Sequence, residues 1–182
     1  MSAEKINVLK AVGAEVIVTP TAVPADSPES YYKVAERVTH ERNAFRPNQY
    51  GNPNNPLSHY QTTGPELWEQ TSGRITHFVA GAGTCGSVTG TARYLKEQNP
   101  DIQVVAVDPI GSVFYDHWKS GAQAQPHVYA VEGIGEDYLV DAVDFDLIDE
   151  MVQVDDAVSF EMTRRRPAAS AFSVGTSTVM SL

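Results

Sequence analysis

Residues 75–108, ITHFVAGAGTCGSVTGTARYLKEQNPDIQVVAVD, decide the fold of this chain. Apolar and β-branched runs predict two strands, over 75–80 and 102–107. A cluster of glycines predicts a turn over 81–87, and the helical spacing of the apolar residues that follow predicts a helix over 88–98. Pro100 ends the helix, because proline cannot continue it and biases Asn99 away from helical dihedrals. Glycines at the first turn of such a β-α-β unit leave main-chain N–H groups unpaired at the helix N-terminus. Together with the helix dipole, those groups form a phosphate-binding cup.

The glycines alone leave the ligand of this cup open. Gly81, Gly83 and Gly86 have the spacing of the dinucleotide fingerprint, and Asp108 ends the second strand where a ribose-binding acid would stand. This first interpretation predicts the nucleotide-binding domain of an NAD-dependent enzyme. A second is that the glycines only permit a tight turn, but Thr84 and Ser87 add more hydrogen-bonding groups than a turn requires.

The composition indicates a folded, acidic protein. Hydrophobic residues make up 42% of the 182 residues and the formal net charge is −10, which disfavours nucleic acid and an anionic membrane surface as partners. Cys85 is the one cysteine, so no internal disulfide can form. No apolar run approaches membrane-spanning length, and the five scattered histidines predict no metal site. We therefore expect a cytoplasmic protein.

Outside the central stretch, periodicity and capping residues predict four further elements. They are a helix over 2–12, a short strand over 15–19, a helix from Pro28 to about Asn43 capped by Ser27, and a helix from about Pro56 to Thr71. Gln49 is expected at the end of a short strand. His59 falls early in the last helix, where we expect it to cap or to pack.

Five motifs resemble one enzyme family, the fold-type II pyridoxal-phosphate enzymes, and above all the cystathionine β-synthases and cysteine synthases. They occur in family order: DSPES at 26–30, NQYGNPNNPLSHY at 48–60, GTCGSVTGTAR at 83–93, VDPIGS at 107–112 and VEGIG at 131–135. A dinucleotide-binding unit would predict only the third. The pyridoxal-phosphate interpretation is therefore favoured.

The resemblance implies an α/β fold, a partial tryptophan-synthase-β-like fold with a parallel sheet and flanking helices. Residues 1–46 would be a remnant of the small, mobile domain, and 47–182 the larger cofactor-binding domain, truncated at its C-terminus. The cofactor would be pyridoxal 5'-phosphate. The implied cofactor contacts are Gly83, Thr84, Cys85, Gly86 and Ser87 at the phosphate, Gly133 and Gly135 in a loop over the cofactor, and Ser177 at the pyridine nitrogen. Gln49 would contact the substrate carboxylate.

The implied reaction is β-replacement on serine or O-acetylserine with homocysteine or sulfide, in a homodimer. It needs a lysine that binds the cofactor and moves protons, and no lysine here stands in the family's context. The lysines that we expect to be surface charges are Lys5, Lys10, Lys33, Lys96 and Lys119. No catalytic residue is assigned, and we expect an incomplete, inactive fragment of the enzyme. The alternatives are a non-catalytic remnant or partner-binding module, and the NAD-dependent domain above.

Two positions depart from the family pattern. Cys85 stands where the family has glycine. A positive φ at this position would strain the backbone of the cup. We expect ordinary dihedrals instead, with Cys85 a small buried residue that does not disturb the cup. A reactive thiol at the helix N-terminus is the third, least favoured interpretation. Pro167 is expected to interrupt the helix that runs past Arg165.

Overall fold

The computed structural model describes residues 2–20, 23–122 and 125–169. The chain divides into two compact units, Met1–Pro47 and Asn48–Leu182. The first unit contains helix α1 (Ala3–Ala11) and helix α2 (Tyr31–Glu41). Its large apolar side chains include several that are mostly exposed, such as Val12 at 77% and Phe45 at 87%.

Two predictions for the first unit are wrong. Residues 15–19 do not form a strand, because this unit has no second strand among its described residues with which they could pair. Ser30, not Ser27, caps α2: its hydroxyl accepts a hydrogen bond from Lys33 N at 3.3 Å. Ser27 instead accepts from Glu29 N within a preceding turn.

The second unit contains the sheet. Its elements are α3 (Asn54–Gln61), α4 (Thr63–Gln70), β1 (His77–Gly81), α5 (Gly86–Gln98), β2 (Gln103–Pro109), α6 (Phe114–Ser120), β3 (Glu150–Val154) and α7 (Asp156–Ala169). The strands are parallel in the order β1-β2-β3, with Val79 opposite Val105 and Val107 opposite Val152. The predicted fold class, a parallel α/β sheet flanked by helices, is confirmed.

Helix α5 packs its apolar stripe against the sheet, as its spacing predicted. Val88, Ala92 and Leu95 are at most 1% exposed. Val104 and Ala106 lie on one face of β2, because side chains alternate along a strand, and they are buried in the same core as Val88 and Ala92. This packing fixes the N-terminus of α5 at the carboxyl end of β1.

The structure corrects three further predictions. The helix expected over 56–71 is divided at Thr62, whose dihedrals are φ −126° and ψ −66°, because Pro65 has no N–H to donate to the carbonyl of Gln61. Gln49 lies in a turn rather than a strand. Helix α7 continues through Pro167 to Ala169. The proline has no N–H and so removes one main-chain hydrogen bond, but it does not end the helix as predicted.

Among the described residues, no helix has the length and apolarity needed to cross a membrane.

Candidate functional site

The turn between β1 and α5 carries a run of free main-chain donors. Within the part of the chain that the structure describes, none of the N–H groups from residues 83–88 donates a hydrogen bond, and the first that does is Thr89 N, to Cys85 O at 2.9 Å. Ala82 N, just before the run, still donates to Val107 O at 2.8 Å and so extends the sheet. Six successive donors that have no partner among the described residues, at the positive end of a 13-residue helix, make this turn a candidate site for an anion. We call residues 83–88 the cup.

Cys85 lies at the centre of the cup in a left-handed conformation, with φ 59° and ψ 4°. The expectation that it avoids positive φ is therefore wrong, and its Cβ makes this backbone strained. Its thiol is 3% exposed and donates to Gly83 O at 3.3 Å. Burial, and then the nearby charges of Asp108 and Glu136, raise the pKa of this thiol, so it is not a reactive thiolate.

The segment 131–135 closes one side of the cup. Gly135 N donates to Ala82 O at 2.6 Å. A Cβ on Gly83 would lie 3.2 Å from Gly133 O, so the two backbones are nearly in contact. Gly133 and Gly135 have φ values of 97° and 75°, which favour glycine. The structure thus brings Gly83, Gly133 and Gly135 close together; their contacts with a cofactor stay a prediction from the resemblance.

Helix α3 closes another side of the cup through Asn55. Its amide Nδ2 donates both to Gln49 O at 2.9 Å and to Thr84 Oγ1 at 3.2 Å. The approach is close because α5 has glycines here: a Cβ on Gly86 would lie 1.9 Å from Asn55 Oδ1. The sequence analysis named the stretch around Asn55 only as part of the motif at 48–60 and assigned Asn55 no role. It therefore missed that this side chain ties Gln49 to Thr84.

His59 also reaches the cup. Its Nδ1 lies 2.9 Å from Thr63 Oγ1, and its Nε2 lies 3.4 Å from the hydroxyl of Ser87. The sequence interpretation placed His59 in a capping or packing role. No local pattern pointed to Ser87, because the two residues lie on different helices and meet only when α3 packs on α5.

Asp108 is directed into the protein rather than toward a ligand. It is 0% exposed, and its Oδ2 accepts from Tyr115 N at 3.0 Å. Its other oxygen, Oδ1, makes no hydrogen bond of ordinary geometry to the described residues. Burial raises the pKa of this carboxyl to about 6, against the lowering effect of the Ser112 hydroxyl and the Tyr115 N–H. A carboxylate with no exposed surface does not present itself to a ribose, so the dinucleotide interpretation loses its acidic residue.

The other predicted site residues have different surroundings. Gln49 is exposed in the turn before α3. Ser177 lies outside the described residues. Lys96 is not the surface charge that we expected: its side chain is 19% exposed, and its ammonium group contacts Asp149 at 2.7 Å and Ile102 O at 3.1 Å. Among the described residues, no group of three or more His, Cys, Asp or Glu side chains is arranged to hold a metal ion.

A large open cavity of about 990 Å³ lies between α3, α5 and residues 141–146. No residue of 83–88 lines it. Its lining includes the Arg93–Asp144 ion pair and the Tyr60–Glu97 hydrogen bond, so four of its polar side chains are engaged with one another. The cup, whose donors have no partner among the described residues, is therefore the better candidate for a functional site.

Comparisons with known proteins agree on one family. The profile described as "Pyridoxal-phosphate dependent enzyme" matches residues 1–182. Cystathionine beta-synthase of Dictyostelium discoideum is 44% identical over 173 residues, which are 91% of this chain and 33% of that protein. The protein of the same name from Apis mellifera is 42% identical over 165 residues, 90% of this chain and 32% of its own length. The O-acetylserine dependent cystathionine beta-synthase of Bacillus subtilis is 34% identical over 176 residues, 97% of this chain and 54% of its own length. The chain thus spans about a third to a half of the length of these curated relatives.

Proposed function

This chain belongs to the pyridoxal-phosphate dependent enzymes, and we propose that it forms the phosphate-binding part of an enzyme that performs β-replacement on serine or O-acetylserine. The observation that carries the proposal is the run of six N–H donors at residues 83–88 that have no partner among the described residues. A phosphate monoester offers several acceptor oxygens and a negative charge, which match those donors and the positive end of α5.

The residues present fit the phosphate end of the cofactor. At Gly83 and Gly86, a Cβ would come within 3.2 Å of Gly133 O and 1.9 Å of Asn55 Oδ1, so the cup is built for bare backbone. The hydroxyl of Thr84 accepts from the Asn55 amide, which leaves its own hydrogen free to donate to a phosphate oxygen. Asp108 and Glu136 put negative charge near Cys85, which opposes a bound anion, so the N–H donors and the positive end of α5 have to outweigh that repulsion.

When bound, the cofactor supplies the electron sink that β-replacement requires. The chain's own residues bind and orient. The N–H groups and hydroxyls of residues 83–87 hold the phosphate, and the segment with Gly133 and Gly135 covers the cup and limits the access of water. We assign Gln49 to the substrate carboxylate and Ser177 to the pyridine nitrogen, on motif resemblance for both. Residues 1–46 would be a remnant of the small domain, and 47–182 the cofactor domain.

The names of the relatives support the choice of substrates. The Dictyostelium and Apis proteins are named cystathionine beta-synthases, and the Bacillus protein is named for its dependence on O-acetylserine. The whole protein would combine the amino-acid substrate with homocysteine or sulfide, as a cytoplasmic homodimer.

The test measures binding of inorganic phosphate, pyridoxal phosphate and pyridoxal to the purified 182-residue chain by titration calorimetry. We expect phosphate and pyridoxal phosphate to compete, and pyridoxal, which lacks the phosphate, not to displace phosphate. Ser87→Ala should weaken phosphate binding about tenfold, in line with the loss of one hydrogen bond to a charged group. Ser120→Ala, on the exposed end of α6, is the matched control and should bind as the original chain does.

Borohydride reduction followed by peptide mapping then asks whether any lysine reacts with the bound cofactor. We expect no single lysine to be labelled. A stoichiometric adduct at one lysine would show that the chain supplies its own base. Equal affinity for pyridoxal and pyridoxal phosphate would contradict the assignment of the cup.

A further inference from the structure

His59 and Ser87 meet at the edge of the cup, and the assigned function of the cup does not account for their contact. Ser87 is the second residue of α5, and its exposed hydroxyl stands beside the free N–H groups of residues 83–88. Within the described part of the chain, His59 Nε2, at 3.4 Å, is the hydrogen-bond partner recorded for that hydroxyl. The direction of this hydrogen bond decides what Ser87 can offer to an anion.

A serine hydroxyl has one hydrogen and two lone pairs. If Ser87 donates its hydrogen to His59, only lone pairs face the cup, and these repel phosphate oxygens. If His59 donates to Ser87, the serine hydrogen is left to point at the anion. The same contact distance can therefore make Ser87 either a repulsive or an attractive neighbour of the phosphate.

The residue on the other side of the ring selects between these two states. Thr63 Oγ1 lies 2.9 Å from His59 Nδ1, an ordinary hydrogen-bond distance at which either atom can be the donor. When the Thr63 hydroxyl donates, Nδ1 is the acceptor. A neutral imidazole carries one hydrogen, so acceptance at Nδ1 requires a hydrogen on Nε2. This tautomer makes the ring a donor to Ser87.

The packing of the helices holds the ring in place. A Cβ on Gly90 would lie 2.9 Å from the Cβ of His59 and 2.0 Å from Pro56 O, so α3 contacts the bare backbone of α5 at this point. The ring is half-buried and Thr63 begins the next helix, α4. His59 is therefore oriented from both sides rather than free to turn.

We propose that His59 is a positioning residue of the cup: it accepts from Thr63, donates from Nε2 to Ser87, and so directs the Ser87 hydroxyl hydrogen toward the bound phosphate. The inference rests on the proposed phosphate site, and it adds the residue that orients the Ser87 hydroxyl at the edge of that site. His59 touches neither the phosphate nor the reacting atoms. Its effect is on affinity for the anion.

Two near-isosteric substitutions separate positioning from packing. Glutamine places its amide nitrogen near the position of Nε2, and asparagine places its amide near Nδ1, so His59→Gln keeps a donor to Ser87 and His59→Asn does not. We expect His59→Asn to weaken inorganic phosphate binding to the 182-residue chain roughly fivefold, and His59→Gln to stay within about twofold of the original affinity. Thr63→Val should behave as His59→Asn does, while Thr63→Ser should bind normally.

The coupling to Ser87 is tested by a double-variant cycle. If His59 acts through Ser87, then His59→Asn should have no further effect on phosphate affinity in a Ser87→Ala background. Urea unfolding of each variant by tryptophan fluorescence shows whether the fold is retained. Nitrogen-15 NMR of the histidine ring reads the tautomer directly, and we expect the hydrogen on Nε2.

Several results would overturn the inference while leaving the phosphate site intact. They are normal phosphate binding by His59→Asn, equal losses for the Asn and Gln variants, independent losses in the double variant, or a ring hydrogen found on Nδ1. If the original chain binds no phosphate, the proposed site itself is wrong, and the role of His59 is wrong with it.

Discussion

Replacing Cys85 by alanine and by glycine measures the strain stored in the cup. A residue with a Cβ in the left-handed region costs about 1–2 kcal/mol, and Cys85 has φ 59°. Ala92 is an ordinary buried helical site and is 0% exposed. There, replacing alanine by glycine should lower the free energy of unfolding by about 2 kcal/mol, because glycine has a lower helix propensity and one buried carbon is lost. At position 85 the relief of strain should offset most of that cost, leaving a difference of about 0–1 kcal/mol between the two variants.

The assay is urea unfolding followed by tryptophan fluorescence, since Trp68 and Trp118 both lie in the unit that contains the cup. Cys85→Ala should itself lose about 1 kcal/mol, because the strain stays and the buried sulfur is removed. If exchanging alanine for glycine at position 85 costs as much as it does at Ala92, the positive φ carries no strain and the reasoning fails.

Two further perturbations follow from the same contacts. Gly90→Ala should reduce the free energy of unfolding by about 3 kcal/mol, and Gly86→Ala by about half of that. The first Cβ would meet the main-chain oxygen of Pro56 at 2.0 Å and the second a side-chain atom of Asn55; equal losses in urea unfolding would contradict this. Asp108→Asn should remove a pH dependence of the free energy of unfolding. Because the pKa of Asp108 is raised from 3.8 to about 6 in the folded state, the folded protein is most stable with this carboxyl protonated, and stability is lost as pH rises between these two values. Relative to the original chain, the variant should gain about 3 kcal/mol between pH 4 and pH 7, and parallel curves would show that Asp108 is not the titrating group.

Much of the central fold could be predicted, because local signals and long-range packing agree there. Val88, Ala92 and Leu95 share a face by spacing alone, and Pro100 limits the helix whatever surrounds it. The strand expected at 15–19 failed because a strand needs a partner, and β-propensity does not reveal whether one is present. The break at Thr62 depends on one missing hydrogen bond that apolar periodicity does not register.

The candidate site divides in the same way. Glycine spacing predicted a turn with free N–H groups at residues 83–87, and the described residues contain such a turn because its geometry is set locally; its binding of an anion stays a prediction. The contacts of Asn55 and His59 with the cup could not be predicted, because they arise when α3 packs across α5. The conformation of Cys85 was wrongly predicted, because residue type favours ordinary dihedrals and only the surrounding turn requires the left-handed one. Sequence thus located the donors, and tertiary packing determined which side chains support them.

The two hydrogen bonds of the Asn55 amide have a consequence for how this site can change through evolution. One nitrogen atom holds both the turn at Gln49 and the hydroxyl of Thr84. A substitution at Asn55 therefore alters both loops in a single step, and neither loop can be retuned alone through this position. A change in the turn at Gln49 that leaves Thr84 in place would have to arise elsewhere in that turn, with Asn55 kept.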